Sequence, residues 1–180
     1  MLISLGGNCS ITYHLNSPTR FPFDWCKITI NQLNRVLEND FINYTNLSIK
    51  KLSDKHLTKN NKPSLLLKNH YNVIFAHEIL EKYHLPVFKD KLLSRIDRFK
   101  DAINPTFIRI EIQNISDEYF KIQYLKLIEN LKKYFENFKL IVISKNTPFI
   151  CDKITFVKLK HFSQDWKYPE VNWSFLKKLI

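Results

Sequence analysis

Leu2-Ile3-Ser4-Leu5-Gly6-Gly7-Asn8-Cys9-Ser10, running on into Ile11-Thr12-Tyr13-His14-Leu15, is the stretch that decides the fold. Its apolar opening reads as a buried strand, and the residues after Ser10 can begin a helix. Gly6 and Gly7 are the two glycines of a chain of 180 residues. A sequence this poor in glycine that places both at one strand-to-helix turn needs backbone angles there that other residues resist. Asn8, Cys9 and Ser10 then fall at the start of the helix, where backbone N–H groups and the helix dipole favour negative charge. A thiol so placed has its pKa lowered, and the thiolate is the reactive form. Cys9 is therefore the candidate nucleophile. The alternative is a buried structural cysteine beside a tight turn.

Outward from this turn, Ser17 to Trp25 holds two prolines among aromatic and charged residues and reads as a rigid, irregular loop. Thr29 to Phe41 has apolar residues at helical spacing. Residues 42–63 are polar and are expected to be mostly irregular. Short strands follow at 64–67 and 72–75, forming a hairpin across Asn69-His70-Tyr71. A helix is expected over Pro86 to Ile103, with Pro86 in its first turn. Another should run from a Ser116 cap to about Phe135, and a closing helix from Trp173 to Ile180. Strands are expected near 2–5, 106–110, 139–144 and 154–159. Strands alternating with helices imply one three-layer α/β domain over residues 1–180, with a mainly parallel central sheet flanked by helices. Such sheets place their sites at the carboxyl ends of strands, and Cys9 follows its strand in that way.

Composition narrows the function classes. Hydrophobic residues make up 44% of the chain, enough for a substantial core. No apolar run approaches the ~20 residues a membrane span requires, so no membrane partner is expected. The chain opens on a strand without a basic segment or cleavage site, so an intracellular location, or packaging from inside a cell, is expected. Cys9, Cys26 and Cys151 are widely spaced and odd in number, which argues against a disulfide framework and against a zinc site. No cofactor is called for. The net charge of +11 suits nucleic acid or another polyanion. The basic residues are spread along the chain, however, and its Lys, Asn and Ile richness is what A/T-rich codons produce.

A cysteine nucleophile needs a base within hydrogen-bond reach and a group to orient that base. His77, with Glu78 beside it, and His161, with Asp165 four residues on, stand at plausible strand ends, and spacing does not choose between them. His14 lies one helical turn after Cys9 and is expected to be structural. Asp24, between Phe23 and Trp25, either orients a histidine or bonds the backbone of its own turn. Arg109 alternates with apolar residues on a strand, where a buried charge is costly unless paired. It pairs with Asp24 or Glu111, binds an anionic substrate group, or sits at an exposed strand end.

Ile3-Ser4-Leu5-Gly6-Gly7-Asn8-Cys9 followed by Pro22-Phe23-Asp24-Trp25 resembles a family of bacterial and viral domains labelled putative papain-like cysteine peptidase. Phe75-Ala76-His77-Glu78 fits a strand the family ends in His-Asp, with Glu in place of Asp. Ser94-Arg95-Ile96-Asp97-Arg98-Phe99 resembles its arginine-rich helix, with Ser94 where a first Arg is usual. Phe107-Ile108-Arg109 resembles its F-I-R strand, and Trp166 and Trp173 a later Trp pair. The resemblance implies a peptide or other acyl substrate and a catalytic pair of Cys9 and His77. Asp24 or Glu78 would orient the imidazole, and Gly6, Gly7, Asn8, Ser10, Trp25 and Arg109 would face substrate. A nucleophile directly after the first strand is also similar to GDSL-type esterases, with Cys for Ser, although the order and spacing of His161 and Asp165 differ from theirs. Two other classes stay open. One is a basic module that binds nucleic acid or a phosphorylated sugar through Arg95, Arg98 and Arg109. The other is an inactive interaction protein that keeps an enzyme-like fold.

Overall fold

The computed structural model describes residues 1–57, 63–75, 84–163, 165 and 167–177. In chain order the elements are β1 (Leu2–Ser4), α1 (Ser10–Leu15), β2 (Cys26–Lys27), α2 (Ile30–Glu38), β3 (Leu47–Leu57), β4 (Pro63–Asn69) and β5 (Ile74–Phe75). There follow α3 (Leu85–Lys100), β6 (Thr106–Glu111), α4 (Asp117–Lys132), β7 (Lys139–Ser144), β8 (Ile154–Lys158) and α5 (Ser174–Lys177).

Four strands form a parallel sheet in the order β1-β6-β7-β8. Ile3 lies opposite Phe107, Phe107 opposite Leu140, and Leu140 opposite Ile154. These are the four apolar runs that the sequence marks as strands. Within β6 the side chains divide by alternation. Phe107 joins a large buried cluster with Leu33 and Val36 of α2, Leu92 and Phe99 of α3, and Leu127 and Leu131 of α4. Ile108 and Ile110 join a second cluster with Ile11 of α1, Ile141 and Ile143 of β7, and Tyr168, Val171 and Leu176 near the C-terminus.

A second sheet, antiparallel and ordered β2-β5-β4-β3, was not expected as a sheet. The β4–β5 pair is the hairpin read from sequence, with Leu67 opposite Phe75. The correction is β3: residues 47–57 form a strand inside a segment read as mostly irregular. Its pairing with β4 shifts register between Ile49 and Lys51, and such an irregularity breaks the alternation by which a strand is recognised.

The helices begin where capping chemistry sets them. Thr29 accepts from Gln32 N while the Gln32 side chain accepts from Thr29 N, a reciprocal capping box. Ser116 Oγ accepts from Tyr119 N at the start of α4. α2 ends at Glu38, short of the expected Phe41, because Asp40 and Phe41 take positive φ angles of 47° and 62°. Between α2 and α4, Asn34 Nδ2 donates to Gln123 Oε1 and Asn130 Nδ2 donates to Asn34 Oδ1. These buried amides satisfy one another at an otherwise apolar contact.

Candidate active site

The turn after β1 is crowded on both sides. Leu5 N donates to Ile108 O at 2.8 Å, which carries the chain along β6 one residue beyond β1. Gly6 (φ 71°) then lies against Ile28, Phe23 O and the Cys26 thiol, and a Cβ there would overlap Ile28 Cγ2. Gly7 (φ 101°) lies on the end of β6, and a Cβ there would overlap Ile110 O. Both glycines are thus required by conformation and by space.

This turn delivers Cys9 to the N-cap of α1, part-exposed, with φ −75° and ψ −9°. Its carbonyl accepts from Tyr13 N at 3.0 Å. The neighbouring residue does the side-chain capping. Asn8 Oδ1 accepts from Ser10 N at 2.9 Å and from the Ser10 hydroxyl. The Ser10 N–H is thereby engaged inside the turn. Asn8 Nδ2 donates to Tyr168 Oη at 3.0 Å. Burial, with Glu170 nearby, pushes the Tyr168 phenol up, so it stays neutral and accepts. α1 has six residues, too few for a strong dipole, so the turn itself is what places the thiol.

The Phe21–Trp25 loop docks on the same helix. Asp24 is 3% exposed. Its Oδ1 accepts from Thr12 Oγ1 at 3.0 Å and its Oδ2 from Phe21 N at 2.8 Å. Burial raises its pKa, while these bonds and the charges of Arg20 and Arg95 pull the other way. Both carboxylate oxygens serve this loop-to-helix joint. Trp25 adopts a left-handed φ of 55°, its N–H points at Thr12 Oγ1 at 3.4 Å, and the Arg20 guanidinium lies over its ring at 5.7 Å.

Arg109 is fully buried on β6 and paired with Glu111 at 3.1 Å. The pairing with Glu111 is one of the expected alternatives. With 0% exposure, the guanidinium has no face for an anionic substrate group, and its donors serve the interior instead. Burial is the largest single influence and works against its charge, but Glu111 and Tyr124 together outweigh it, raise its pKa and hold Arg109 cationic. Arg95 is also buried, 5.7 Å from the centre of the Phe88 ring, and the exposed Arg98 donates to Arg20 O.

His77 and Glu78, and with them the expected base and one of its orienting groups, lie outside the described residues, as does Trp166. His14 Nε2 bonds Lys167 O at 2.8 Å, and its ring stacks on Trp173 at 4.2 Å. It ties α1 to the C-terminal segment. His161 is exposed beyond β8, with Glu170 near enough to feel its charge. Thr12 and Tyr168 are site neighbours that sequence reading missed, since nothing local marks either one. Among the described residues, no cluster of three or more His, Cys, Asp or Glu side chains is placed to hold a metal ion. No helix there is long and apolar enough to cross a membrane.

A family model described as putative papain-like cysteine peptidase matches residues 1–144. That span holds the glycine turn, the Phe21–Trp25 loop and the strand bearing Arg109, and it stops at the end of β7. No curated protein matches the chain.

Proposed function

The chain belongs to the putative papain-like cysteine peptidase family, and from that membership we propose a thiol-dependent hydrolase or acyltransferase that acts on peptide or other acyl substrates with Cys9 as nucleophile. The observation that carries the reading is the place of Cys9. It is a part-exposed thiol directly after the first strand of a parallel sheet, on a turn crowded enough to demand two consecutive glycines.

In the proposed reaction the Cys9 thiol gives its proton to His77, and the thiolate attacks the acyl carbon. The tetrahedral oxyanion collapses to a thioester as His77 returns the proton to the leaving amine. Water, or an acceptor nucleophile, then attacks the thioester with His77 as base. This step releases the acylated product and restores the thiol. Glu78, next to His77 in the sequence, would orient the imidazole. Asp24 contributes at a distance, by fixing the Phe21–Trp25 loop on α1. Backbone N–H groups of the Gly7–Cys9 turn are the proposed oxyanion donors, and Asn8, Ser10 and Trp25 would border the bound acyl group. We read residues 1–180 as one domain, with the parallel sheet between α2–α4 on one face and α1 with the C-terminal segment on the other.

The test is covalent capture. A peptidyl vinyl sulfone should label Cys9 and leave Cys26 and Cys151 unmodified in the folded protein. Cys9→Ala should abolish labelling, and His77→Ala should slow it strongly. Equal labelling of Cys151 and Cys9, or labelling indifferent to His77, would instead favour an enzyme-like fold without the activity.

A further inference from the structure

The Arg109 fork reaches three chain segments that meet only in the folded protein. Nη1 donates to Leu5 O at 2.9 Å. Nη2 donates to Ile28 O at 3.2 Å and to Glu111 Oε2 at 3.1 Å. Leu5 is the residue before the glycine pair. Ile28 is the residue whose Cγ2 a Cβ on Gly6 would overlap. One guanidinium therefore fixes both walls of the contact that makes glycine necessary at position 6. Among the described residues Nε has no acceptor, so the two Nη groups set the orientation of the fork. A planar fork can hold two carbonyls and a carboxylate at once, whereas an ammonium presents a single point of charge.

We infer that Arg109 is a positioning residue for the Cys9 turn, holding the Leu5 and Ile28 carbonyls together and so setting the backbone from which Gly6, Gly7 and the thiol follow. Its catalytic meaning rests on the proposed role of Cys9; the positioning itself does not. A merely structural ion pair would behave differently. Replacing both charges of a buried pair with neutral groups commonly restores stability, but it returns no donor to Leu5 O or Ile28 O. Gln at position 111 keeps an acceptor for Gln113 N, which Glu111 Oε1 now binds at 3.1 Å.

The experiment compares wild type, Arg109→Met, Arg109→Met/Glu111→Gln and Arg109→Lys by thermal melting, by hydrogen exchange of the Gly6–Ser10 amides and by the pH profile of Cys9 alkylation. Arg109→Met should melt lowest, and the double variant should recover most of that loss. In the double variant the turn amides should still exchange about tenfold or more faster than in wild type, while the β7 amides stay protected. Its Cys9 profile should move by about one pH unit towards an ordinary thiol. Arg109→Lys should fall between wild type and Arg109→Met in both readouts. A double variant that melts, exchanges and alkylates like wild type overturns the inference. If the double variant does not fold, Arg109→Lys decides: wild-type exchange at the turn overturns the inference, and faster exchange confined to the turn supports it. Loosened turn amides beside a wild-type Cys9 that already titrates as an ordinary thiol would keep the positioning and refute the nucleophile.

Discussion

Thr12 Oγ1 donates to Asp24 Oδ1 at 3.0 Å, so the helix that follows Cys9 and the loop that carries Phe23-Asp24-Trp25 are held as one unit. Gly6 faces the same loop closely enough that a Cβ there would lie 3.4 Å from Phe23 O. The two most distinctive motifs in the sequence are thus in contact, and Asp24 is the clasp between them.

Asp24→Ala should lose the bonds to Thr12 and Phe21 N and cost about 2–3 kcal/mol of folding stability, because it leaves a buried donor unpaired. Asp24→Asn can keep both bonds after rotation of the Thr12 hydroxyl, and should cost less. The pH dependence has a definite sign. Burial raises the Asp24 pKa above its ordinary 3.8, so the folded protein keeps this proton to higher pH than the unfolded chain does. The contribution of Asp24 to stability is therefore greatest below 3.8, declines as pH rises through the raised folded value, and is level above it. Urea unfolding at stepped pH should show the wild type losing ground relative to Asp24→Asn over that interval. A difference that stays constant with pH would contradict this.

Gly7→Ala should be more damaging than Gly6→Ala. At position 7 the obstacle is a backbone carbonyl, Ile110 O, which a strand cannot withdraw; at position 6 it is the Ile28 side chain. The left-handed backbone alone costs an alanine about 1–2 kcal/mol. Gly6→Ala should be partly rescued by Ile28→Ala, and Gly7→Ala should not be. Melting curves of Gly6→Ala and Gly7→Ala, each alone and combined with Ile28→Ala, are the check.

Tyr168→Phe removes the acceptor for Asn8 Nδ2 and should cost about 1 kcal/mol. The C-terminal segment would still pack through Val171 and Leu176, which are buried with Ile11. Amide exchange of Asn8–Ser10 should quicken while that of α4 is unchanged. Exchange unaltered at Asn8–Ser10 would mean that Tyr168 does not brace the turn.

Asp117, at the start of α4, accepts from Thr147 N and from Asn146 Nδ2, and the Thr147 side chain first, then Asn146 and the Thr147 main chain, hold its carboxyl down at about 2. Carboxyl-carbon NMR should find it titrating below every unpaired aspartate. Its contribution to stability is present above the ordinary 3.8 and is lost as pH falls through about 2. The Thr147 side chain contributes most to the depression, so Thr147→Ala should relieve the largest share of it and Asn146→Ala a smaller part.

The parallel sheet was legible because each of its strands is an apolar run bounded by breaks, and the glycine turn because the chain uses glycine nowhere else. β3 was not legible. It is an edge strand, rich in lysine as edges often are, and its register shift between Ile49 and Lys51 interrupts the regular alternation that marks a strand. The Arg109–Glu111 pair could be anticipated, since residues two apart on a strand share a face. Its other partners could not, because Leu5 and Ile28 contribute carbonyl groups that any residue would supply. The Asn8–Tyr168 bond spans 160 positions and leaves no mark in either local sequence.

The measurement that bears most directly on the role of Cys9 is iodoacetamide alkylation of the folded protein across pH, read by peptide mapping in wild type, His77→Ala and His161→Ala. Cys9 should react well below the ~8.5 of an ordinary thiol and ahead of Cys26, which is fully buried, and of Cys151. On the proposed mechanism His77→Ala should move its profile upward by about one unit or more, by removing the imidazolium that would favour the thiolate, and His161→Ala should leave the profile in place. A Cys9 that is inert in the folded protein, or that titrates near ~8.5 in all three proteins, would contradict the account.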